Sequence, residues 1–296
     1  MKIACVGLGQ MGKGIAMNMI KCGQELIVSD LSDKTFSEFE AKGVSTTTDP
    51  QEVAKCNIIF FSLPDTAVVL DYLFGENGIA KNLKAGQIVC DLSTINYAAS
   101  VDIYEKLSEI GVKFMDAPVS GMEAKAIDGT LTVMCGGNKE LFETLLPYFN
   151  CIGNNILLMG SIGAGQLTKA INNTMFNINI AGFAEMIPFA VKLGLDPEQI
   201  VSVINSSSGR SYASEFFLPR VLKRSFVDGY PLEHAYKDLV CTAELSAQQH
   251  LTLPVMHAAL STYQTALLKG LGKHDKGAMT MVYEELFGVK IEPKNK

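Results

Sequence analysis

The sequence predicts an α/β fold: a doubly wound parallel sheet over residues 1–162, followed by an all-helical domain over residues 163–296. In the first half, short and nearly continuous apolar runs alternate with helical stretches. That alternation is typical of a parallel sheet covered by helices on both faces. After Gly160 no strand pattern remains and helical periodicity continues to the end, beginning with one long helix.

Each predicted strand is an apolar run that stops at a polar or turn residue. The predicted strands cover residues 3–6, 25–29, 57–63, 87–93, 113–117, 130–135 and 155–159. The predicted helices of the first domain cover residues 13–21, 66–74, 97–110 and 139–146, and a short one opens at the capping pattern Asp49-Pro50-Gln51-Glu52. In the second domain a helix covers residues 165–193, and Pro188 is expected to kink it. Later helices are predicted to begin near Pro197, Ala213, Glu233, Pro254 and Asp275.

The turn after the first strand carries three glycines at the spacing of a dinucleotide-binding motif. Gly7 makes the tight turn, Gly9 lets the backbone approach the phosphates, and Gly12 lets the following helix pack on the strand. The N-terminus of that helix presents N–H groups to an anion. A second apolar run stops at Asp30, eighteen residues past Gly12, where a carboxylate accepts hydrogen bonds from an adenosine ribose. The predicted cofactor site therefore comprises Asp30 and the segment Gly7-Leu8-Gly9-Gln10-Met11-Gly12.

Asp30 favours NAD over NADP, because a carboxylate repels the 2′-phosphate that distinguishes NADP. An arginine normally receives that phosphate, and residues 1–209 contain none. Lys34 would meet a phosphate only as a point charge, without the bidentate geometry of a guanidinium.

Composition excludes several classes of protein. The net charge of −6 argues against a nucleic-acid partner, since phosphate binding needs a basic face. Seven cysteines without a C-x-x-C pair are expected to be reduced core residues of a cytoplasmic protein. No signal peptide, membrane-spanning stretch or Cys/His cluster for a metal is expected.

Ligands of open parallel sheets bind at the carboxyl ends of the strands. This rule selects Leu63, Pro64, Thr94 and the Ser120-Gly121 turn as candidates by position. The hydroxyl of Thr94 suits a ribose or a nicotinamide amide, and a role as the cap of the helix near Tyr97 is the open alternative. Ser120 and Gly121 would offer a hydroxyl and a backbone N–H to a substrate carboxylate.

The long predicted helix carries an uncharged polar stripe after Lys169. One helix face contains Lys169, Asn172, Asn173, Phe176 and Asn177, and no charged residue follows until Glu185. Asparagine is a poor helix former, so the stripe is expected to be buried against another domain or a ligand. A buried amide network at a subunit contact is the alternative. In the functional interpretation, Lys169 exchanges a proton with a substrate hydroxyl and Asn173 orients that oxygen.

The catalytic residue patterns that other dehydrogenases use are missing from the sequence. No histidine precedes His234, and no tyrosine is followed four residues later by a lysine. By elimination, Lys169 is the best available base.

Five segments carry a family resemblance: residues 7–12, 91–94, 116–121 continuing to 128–132, 163–173, and 236–239. They resemble the β-hydroxyacid dehydrogenases, which include 3-hydroxyisobutyrate dehydrogenase, tartronate semialdehyde reductase and 2-(hydroxymethyl)glutarate dehydrogenase. The resemblance implies a Rossmann domain followed by an all-helical domain, with a long interdomain helix joining them. It implies NAD(P)-linked oxidation of a 3-hydroxyacid, or reduction of its semialdehyde, with Lys169 as the acid/base. It also implies that Ser120, Gly121 and Asn173 hold the substrate, and that Thr94 and Lys237 lie near the cofactor.

Two departures from the family pattern stand out. Met122 occupies the place of a usual second glycine after Ser-Gly, and Ile95 that of a usual proline. Arg210, one of three arginines, lies in a polar loop and is expected to bind an acidic group of the substrate. An ion pair with Glu215 is the alternative for Arg210. The candidate substrate residues are Ser120, Gly121, Met122, Asn172 and Arg210, beside the catalytic candidates Lys169 and Asn173.

The leading hypothesis is an NAD-dependent 3-hydroxyacid dehydrogenase or semialdehyde reductase whose Lys169 is the general acid/base. An imine-reductase-like relative and a non-catalytic nucleotide-binding protein are the alternatives. The uncharged long helix and the apolar C-terminal helices predict a homodimer or homotetramer.

Overall fold

A computed structural model describes residues 1–227 and 229–292, and the chain divides into two compact units, Met1–Lys169 and Ala170–Lys296. The first unit contains a mixed, mainly parallel sheet with helices, and the second unit is helical over its described residues. The predicted fold class is confirmed.

The sheet of the first unit has nine strands. They are β1 (Ile3–Val6), β2 (Leu26–Ser29), β3 (Ser45–Thr47), β4 (Ile58–Phe61), β5 (Ile88–Asp91), β6 (Lys113–Asp116), β7 (Val119–Ser120), β8 (Leu131–Gly136) and β9 (Gly153–Gly160). Their spatial order is β3-β2-β1-β4-β5-β6-β8-β7, and β9 also pairs with β8. The order reverses between β1 and β4, which is where a doubly wound sheet binds its ligand.

The helices of the first unit connect these strands. They are α1 (Gln10–Lys21), α2 (Phe36–Glu40), α3 (Pro50–Val53), α4 (Thr66–Phe74), α5 (Tyr97–Glu109), α6 (Met122–Asp128) and α7 (Lys139–Ile152). Helix α8 (Ala164–Lys192) begins in the first unit and continues into the second, and it runs without a break through Pro188. The helices of the second unit are α9 (Pro197–Ser206), α10 (Tyr212–Leu222), α11 (Leu232–Gln248), α12 (Pro254–Leu268) and α13 (Thr280–Phe287).

Both faces of the sheet are buried, as the continuous apolar strands predict. In β1, Ile3 and Cys5 join one core cluster, whereas Ala4 and Val6 join the cluster on the opposite face. The second unit has a separate core, centred on side chains such as the fully buried Tyr263.

The expectation of a purely parallel sheet is wrong at one edge. Strands β1 to β6 pair in parallel, but β8 runs antiparallel to both β6 and β7. The reason is topological: the chain turns back through β7 and α6 at residues 119–128 instead of making a full crossover helix.

Some predicted boundaries differ from the structure. Helix α1 begins at Gln10 rather than Lys13, directly after the glycine turn. Helix α7 continues past Pro147, where the prediction ended it, because Leu145, Phe149 and Ile152 pack into the core along one face. The sequence patterns missed the strands β3 and β7 and the helices α2 and α6 altogether.

Two expectations from composition need correction. All seven cysteines are free, but Cys22 is exposed and Cys151 and Cys241 are only half-buried, so four rather than seven are core residues. The helix Ala164–Lys192 is long and apolar enough to span a membrane by length and composition, although no such stretch was predicted. Core helices of soluble proteins pass the same test, so this likeness is weak evidence for a membrane span.

Candidate active site

The glycine turn after β1 has the geometry of a dinucleotide cradle. Gly7 has a φ of +89°, and a Cβ there would lie 2.3 Å from the carbonyl oxygen of Ser62. A Cβ on Gly12 would lie 1.9 Å from the carbonyl oxygen of Gly7, so only glycine lets α1 approach the turn. A Cβ on Gly9, by contrast, would meet no heavy atom within 4 Å. Gly9 therefore faces open space at the start of α1.

That open space adjoins an uncapped helix N-terminus. Gly9 is the N-cap of α1, and among the described residues no side chain caps it. Gln10 and Met11 begin the first turn, which contains no acidic residue. The free N–H groups and the positive end of the helix dipole suit a pyrophosphate. The turn thus fits the cofactor that the sequence predicts.

Asp30 lies beside this turn at the end of β2. One carboxylate oxygen accepts a hydrogen bond from the backbone N–H of Leu8, at 2.7 Å, and the other from that of Ser32, at 3.1 Å. The carboxylate is half-buried and keeps further lone pairs. It is placed to accept from a ribose, as the sequence predicts.

The loops after β4 and β5 are tied together by Ser93. Its hydroxyl accepts from the backbone N–H of Leu63 at 2.8 Å, and its own N–H donates to Asp91 at 2.9 Å. Pro64 is exposed and Thr94 is half-buried beside them. The alternative role of Thr94 as a helix cap is wrong, because the cap of α5 is Asn96. Leu63, Pro64 and Thr94 thus share one edge of the sheet with the glycine turn.

The start of α8 is fixed at the same edge by Asp116. Its two carboxylate oxygens accept from the backbone N–H groups of Gly163, at 2.7 Å, and Gln166, at 2.9 Å. The carboxylate is fully buried at the end of β6. It therefore holds the N-terminus of α8 against the carboxyl end of a strand.

Lys169 lies one turn further along α8. Its Nζ donates a hydrogen bond to the backbone carbonyl of Val119 at 2.8 Å, and its side chain is half-buried. Ser120 and Gly121 follow Val119 directly, so the ammonium is adjacent to the predicted substrate turn. The structure thus brings Lys169, Ser120 and Gly121 together.

The turn itself contains one of the two departures from the family pattern. Gly121 has a φ of +147° and Met122 a φ of +60°. A residue other than glycine pays about 1 kcal/mol in the left-handed region, which accounts for a second glycine there in relatives of this pattern. Met122 is half-buried and opens α6.

In the second unit the asparagine stripe is not uniform. Asn172 is exposed, whereas Asn177 is fully buried and donates to the carbonyl of Ala235 at 3.3 Å. Tyr263 and Lys276 both donate to the Oδ1 of Asn177, at 3.2 Å and 2.7 Å. The expectation that the whole stripe faces another domain or a ligand is therefore wrong for Asn177, whose amide belongs to the core of the helical unit.

Asn173 has a partner that sequence reasoning missed. Its Nδ2 donates to the Oδ2 of Asp238 at 3.0 Å, and Asp238 is buried on α11. This bond fixes the amide so that its Oδ1 is the acceptor end. Asp238 lies in the 236–239 segment quoted above, but spacing alone gave no signal for its role.

The two remaining candidates are both in the second unit. Lys237 is half-buried on α11. Arg210 makes an ion pair with Glu215, Nε to Oε1 at 2.8 Å, and 63% of its side chain is exposed. That ion pair is the alternative left open by the sequence, so a substrate role for Arg210 stays a prediction.

Two buried carboxyls lie side by side at the strand ends. Asp91 and Asp116 are register partners in β5 and β6. Burial raises the pKa of Asp91 to about 7 and that of Asp116 to about 6, although backbone N–H donors to each carboxyl lower these values. The Oδ2 of Asp91 has no hydrogen-bond partner among the described residues. The described residues hold no group of three or more potential metal ligands.

Comparison with known proteins covers nearly the whole chain. Residues 2–160 match the model described as the NAD binding domain of 6-phosphogluconate dehydrogenase. Residues 163–283 match the model described as "NAD-binding of NADP-dependent 3-hydroxyisobutyrate dehydrogenase".

Several curated relatives and solved structures are similar over their full length. The chain is 34% identical to 2-(hydroxymethyl)glutarate dehydrogenase of Eubacterium barkeri, over 98% of this chain and 97% of that one. It is 32% identical to 2-hydroxy-3-oxopropionate reductase of Escherichia coli, over 98% and 100%. A crystal structure of 3-hydroxyisobutyrate dehydrogenase from Salmonella typhimurium superposes with a TM-score of 0.86 at 27% identity, covering 95% of this chain and 99% of that one.

Substitution of the glycine turn separates cofactor binding from folding. Gly9 has an ordinary φ of −67° and open space at its Cβ, so Gly9→Ala should leave the melting temperature unchanged. The added methyl group would occupy the approach of the phosphates and weaken NADH binding by about tenfold or more. Gly12→Ala is the contrasting variant, since its Cβ meets backbone and should destabilise the fold. NADH fluorescence titration and thermal unfolding measure both effects, and an unchanged NADH affinity in Gly9→Ala would contradict the placement of the phosphates.

The raised pKa of Asp91 predicts that the free energy of unfolding depends on pH. Its pKa is raised from 3.8 to about 7 in the folded state, so the folded protein binds the extra proton within this window. Stability contributed by that proton is therefore lost as the pH rises from about 4 to about 7. Asp91→Asn keeps the acceptor for Ser93 and cannot ionise. We expect it to be more stable than the native protein by about 2 kcal/mol at pH 8, roughly half the full linkage value, with the gap closing near pH 4.

Urea unfolding at several pH values measures this difference. Asp102→Asn, which removes an exposed carboxyl on α5, is the control and should show no comparable trend. A constant difference between Asp91→Asn and the native protein from pH 4 to 8 would rule out the buried titration.

Proposed function

Because the chain belongs to the β-hydroxyacid dehydrogenase family, we propose that it is an NAD-dependent 3-hydroxyacid dehydrogenase or semialdehyde reductase with Lys169 as general acid/base. The observation that carries the proposal is the 2.8 Å hydrogen bond from Lys169 Nζ to the carbonyl of Val119, at the carboxyl edge of the sheet. The bond holds the ammonium beside the Ser120-Gly121 turn.

The nicotinamide cofactor supplies or accepts the hydride when bound, and the protein handles the proton. As a neutral amine, Lys169 would take the proton from a substrate hydroxyl during oxidation and become the ammonium, and as the ammonium it would give that proton to the carbonyl oxygen during reduction. Asn173 lies four residues further along α8, hence on the same helix face. Its Nδ2 donates to Asp238 at 3.0 Å, and its Oδ1 accepts from the Nδ2 of Asn172 at 3.4 Å. An amide oxygen has two lone pairs, so this Oδ1 would accept a second hydrogen bond from the reacting hydroxyl.

The substrate is an acid of small size. The Ser120 hydroxyl and the adjacent backbone N–H groups suit a carboxylate, and Met122 makes the turn bulkier than a second glycine would. Asn172, a further proposed substrate contact, is exposed and directly precedes Asn173. Arg210 would have to break its ion pair with Glu215 in order to bind an acidic group of the substrate. Relatives named for 2-(hydroxymethyl)glutarate and 2-hydroxy-3-oxopropionate support a short hydroxyacid or its semialdehyde as substrate.

NAD is the proposed cofactor, with the glycine turn for its pyrophosphate and Asp30 for its ribose. The family models name both NAD and NADP, so they establish only that the cofactor is NAD(P). The preference for NAD rests on Asp30, whose carboxylate would face a 2′-phosphate without an arginine in residues 1–209. Thr94, Leu63, Pro64 and Lys237 are the other proposed cofactor contacts.

We also propose that the protein self-associates and that it lies in the cytoplasm. Exposed apolar side chains on α8, including Ile171, Met175, Met186 and Phe189, support self-association into a dimer or tetramer. The seven free cysteines suit a reducing compartment such as the cytoplasm.

Removal of the lysine tests the proposed chemistry. Lys169→Ala should lower kcat by about 100-fold or more, because the proton of the reacting hydroxyl loses its acceptor. NADH affinity should change little, since the glycine turn is untouched. Lys192→Ala, at the other end of the same helix, is the matched control and should keep full activity. Steady-state kinetics on a panel of short hydroxyacids checks this, and normal turnover by Lys169→Ala would refute the assignment.

Cofactor choice is measured separately. The native protein should use NAD with a kcat/KM about 100-fold higher than NADP, because Asp30 repels the extra phosphate. Asp30→Asn removes that charge and keeps an oxygen acceptor, so it should narrow the ratio mainly by improving use of NADP. Equal use of the two cofactors by the native protein would contradict the role of Asp30.

A further inference from the structure

Gln166 links the loop after β5 to helix α8 through both ends of its amide. Its Nε2 donates to the carbonyl of Ser93 at 2.8 Å, and its Oε1 accepts from the N–H of Ile95 at 3.0 Å. The residue is only 2% exposed. Its backbone N–H donates to Asp116, so main chain and side chain are both fixed.

The two backbone groups that Gln166 engages flank Thr94. The side-chain amide accepts from the N–H of Ile95 and donates to the C=O of Ser93. A residue of a neighbouring parallel β-strand would form the same two hydrogen bonds with this backbone. Ser93 is already held from the sheet side by Asp91 and Leu63. Gln166 adds two hydrogen bonds from the side of helix α8. The peptide groups before and after Thr94 are thereby fixed.

Gln166 also lies three residues before Lys169 on the same helix. Three residues correspond to about 4.5 Å along the axis and place the two side chains on neighbouring positions of one face. A helix of this kind transmits position rigidly over one turn. The amide of Gln166 thus sets how far the Thr94 peptide lies from the backbone of Lys169.

We propose that Gln166 is a positioning residue that sets the register between the cofactor loop at Thr94 and the acid/base Lys169. It touches neither the substrate nor the reacting atoms. This inference rests on the proposed function, in which Thr94 contacts the cofactor and Lys169 is the acid/base. It goes further by assigning the alignment of hydride and proton transfer to one buried amide.

The chain offers a matched control at the opposite edge of the sheet. Gln87 precedes β5, and its Nε2 donates to the carbonyls of Ala54, at 2.9 Å, and Cys56. Its Oε1 accepts from the backbone N–H of Lys84. It therefore makes the same kind of bridge between backbone groups, but at the amino end of the strands, away from the proposed chemistry.

The test compares Gln166→Met with Gln87→Met. Both changes remove a bridging amide with little change in side-chain length, so both should lower the melting temperature. Only Gln166→Met should lower kcat, by about 30-fold, because a misplacement well below 1 Å is enough to slow an aligned transfer. It should also raise the deuterium isotope effect measured with NADH labelled at C4, as hydride transfer becomes rate-limiting.

A second readout does not depend on turnover. The fluorescence lifetime of bound NADH should shorten in Gln166→Met and stay native in Gln87→Met, with the NADH dissociation constant changed less than about threefold. If Lys169→Ala retains turnover, the proposed chemistry fails, and the lifetime comparison still decides whether Gln166 fixes the cofactor loop. Gln166→Glu, which keeps the side-chain shape but places an acceptor against the Ser93 carbonyl, replaces Gln166→Met if the latter does not fold. Equal kcat, isotope effect and lifetime in the Gln166 and Gln87 variants would overturn the proposal.

Discussion

The buried carboxylate of Asp116 is the interaction on which the arrangement of this site depends. It accepts from the N–H groups of Gly163 and Gln166, so the first turn of α8 is bound to the end of β6. A carboxylate at a helix N-terminus complements the helix dipole and satisfies donors that would otherwise be buried without partners. Because α8 starts at that point, Lys169 comes to lie against the carbonyl of Val119. The bonds from Asp116 to the start of α8 therefore determine that the lysine lies at the edge of the sheet.

The anchor has an energetic cost that the fold accepts. Burial raises the pKa values of both Asp116 and its neighbour Asp91, which means that the charged forms are poorly solvated there. Backbone donors offset only part of that penalty. Poorly solvated groups persist where function requires a fixed geometry. This pair ends the two strands that lead to Thr94 and to the Ser120-Gly121 turn. The same edge holds Met122 in the left-handed region, a second local cost beside the substrate turn.

Much of the fold and several of the candidate site residues could be predicted from the sequence. The glycine turn and Asp30 could be predicted because glycine spacing and strand ends are short-range features of the sequence. Lys169 could be predicted from the periodicity of one helix face and from the lack of another candidate base in the sequence. Other elements depend on long-range packing that no local pattern encodes. Strand β3 is short and polar, and α7 continues past Pro147 because its apolar face is buried. Asp238 and Gln166 were not assigned roles, since their importance comes from partners 65 and 73 residues away in sequence.

The most direct test of the account is a crystal structure with NAD and a bound short hydroxyacid. The ammonium of Lys169 should lie within about 3 Å of the substrate hydroxyl oxygen while keeping its bond to the Val119 carbonyl. A structure in which that ammonium points into bulk solvent, or in which the hydroxyl is hydrogen-bonded by another side chain instead, would contradict the assignment of Lys169 as the acid/base.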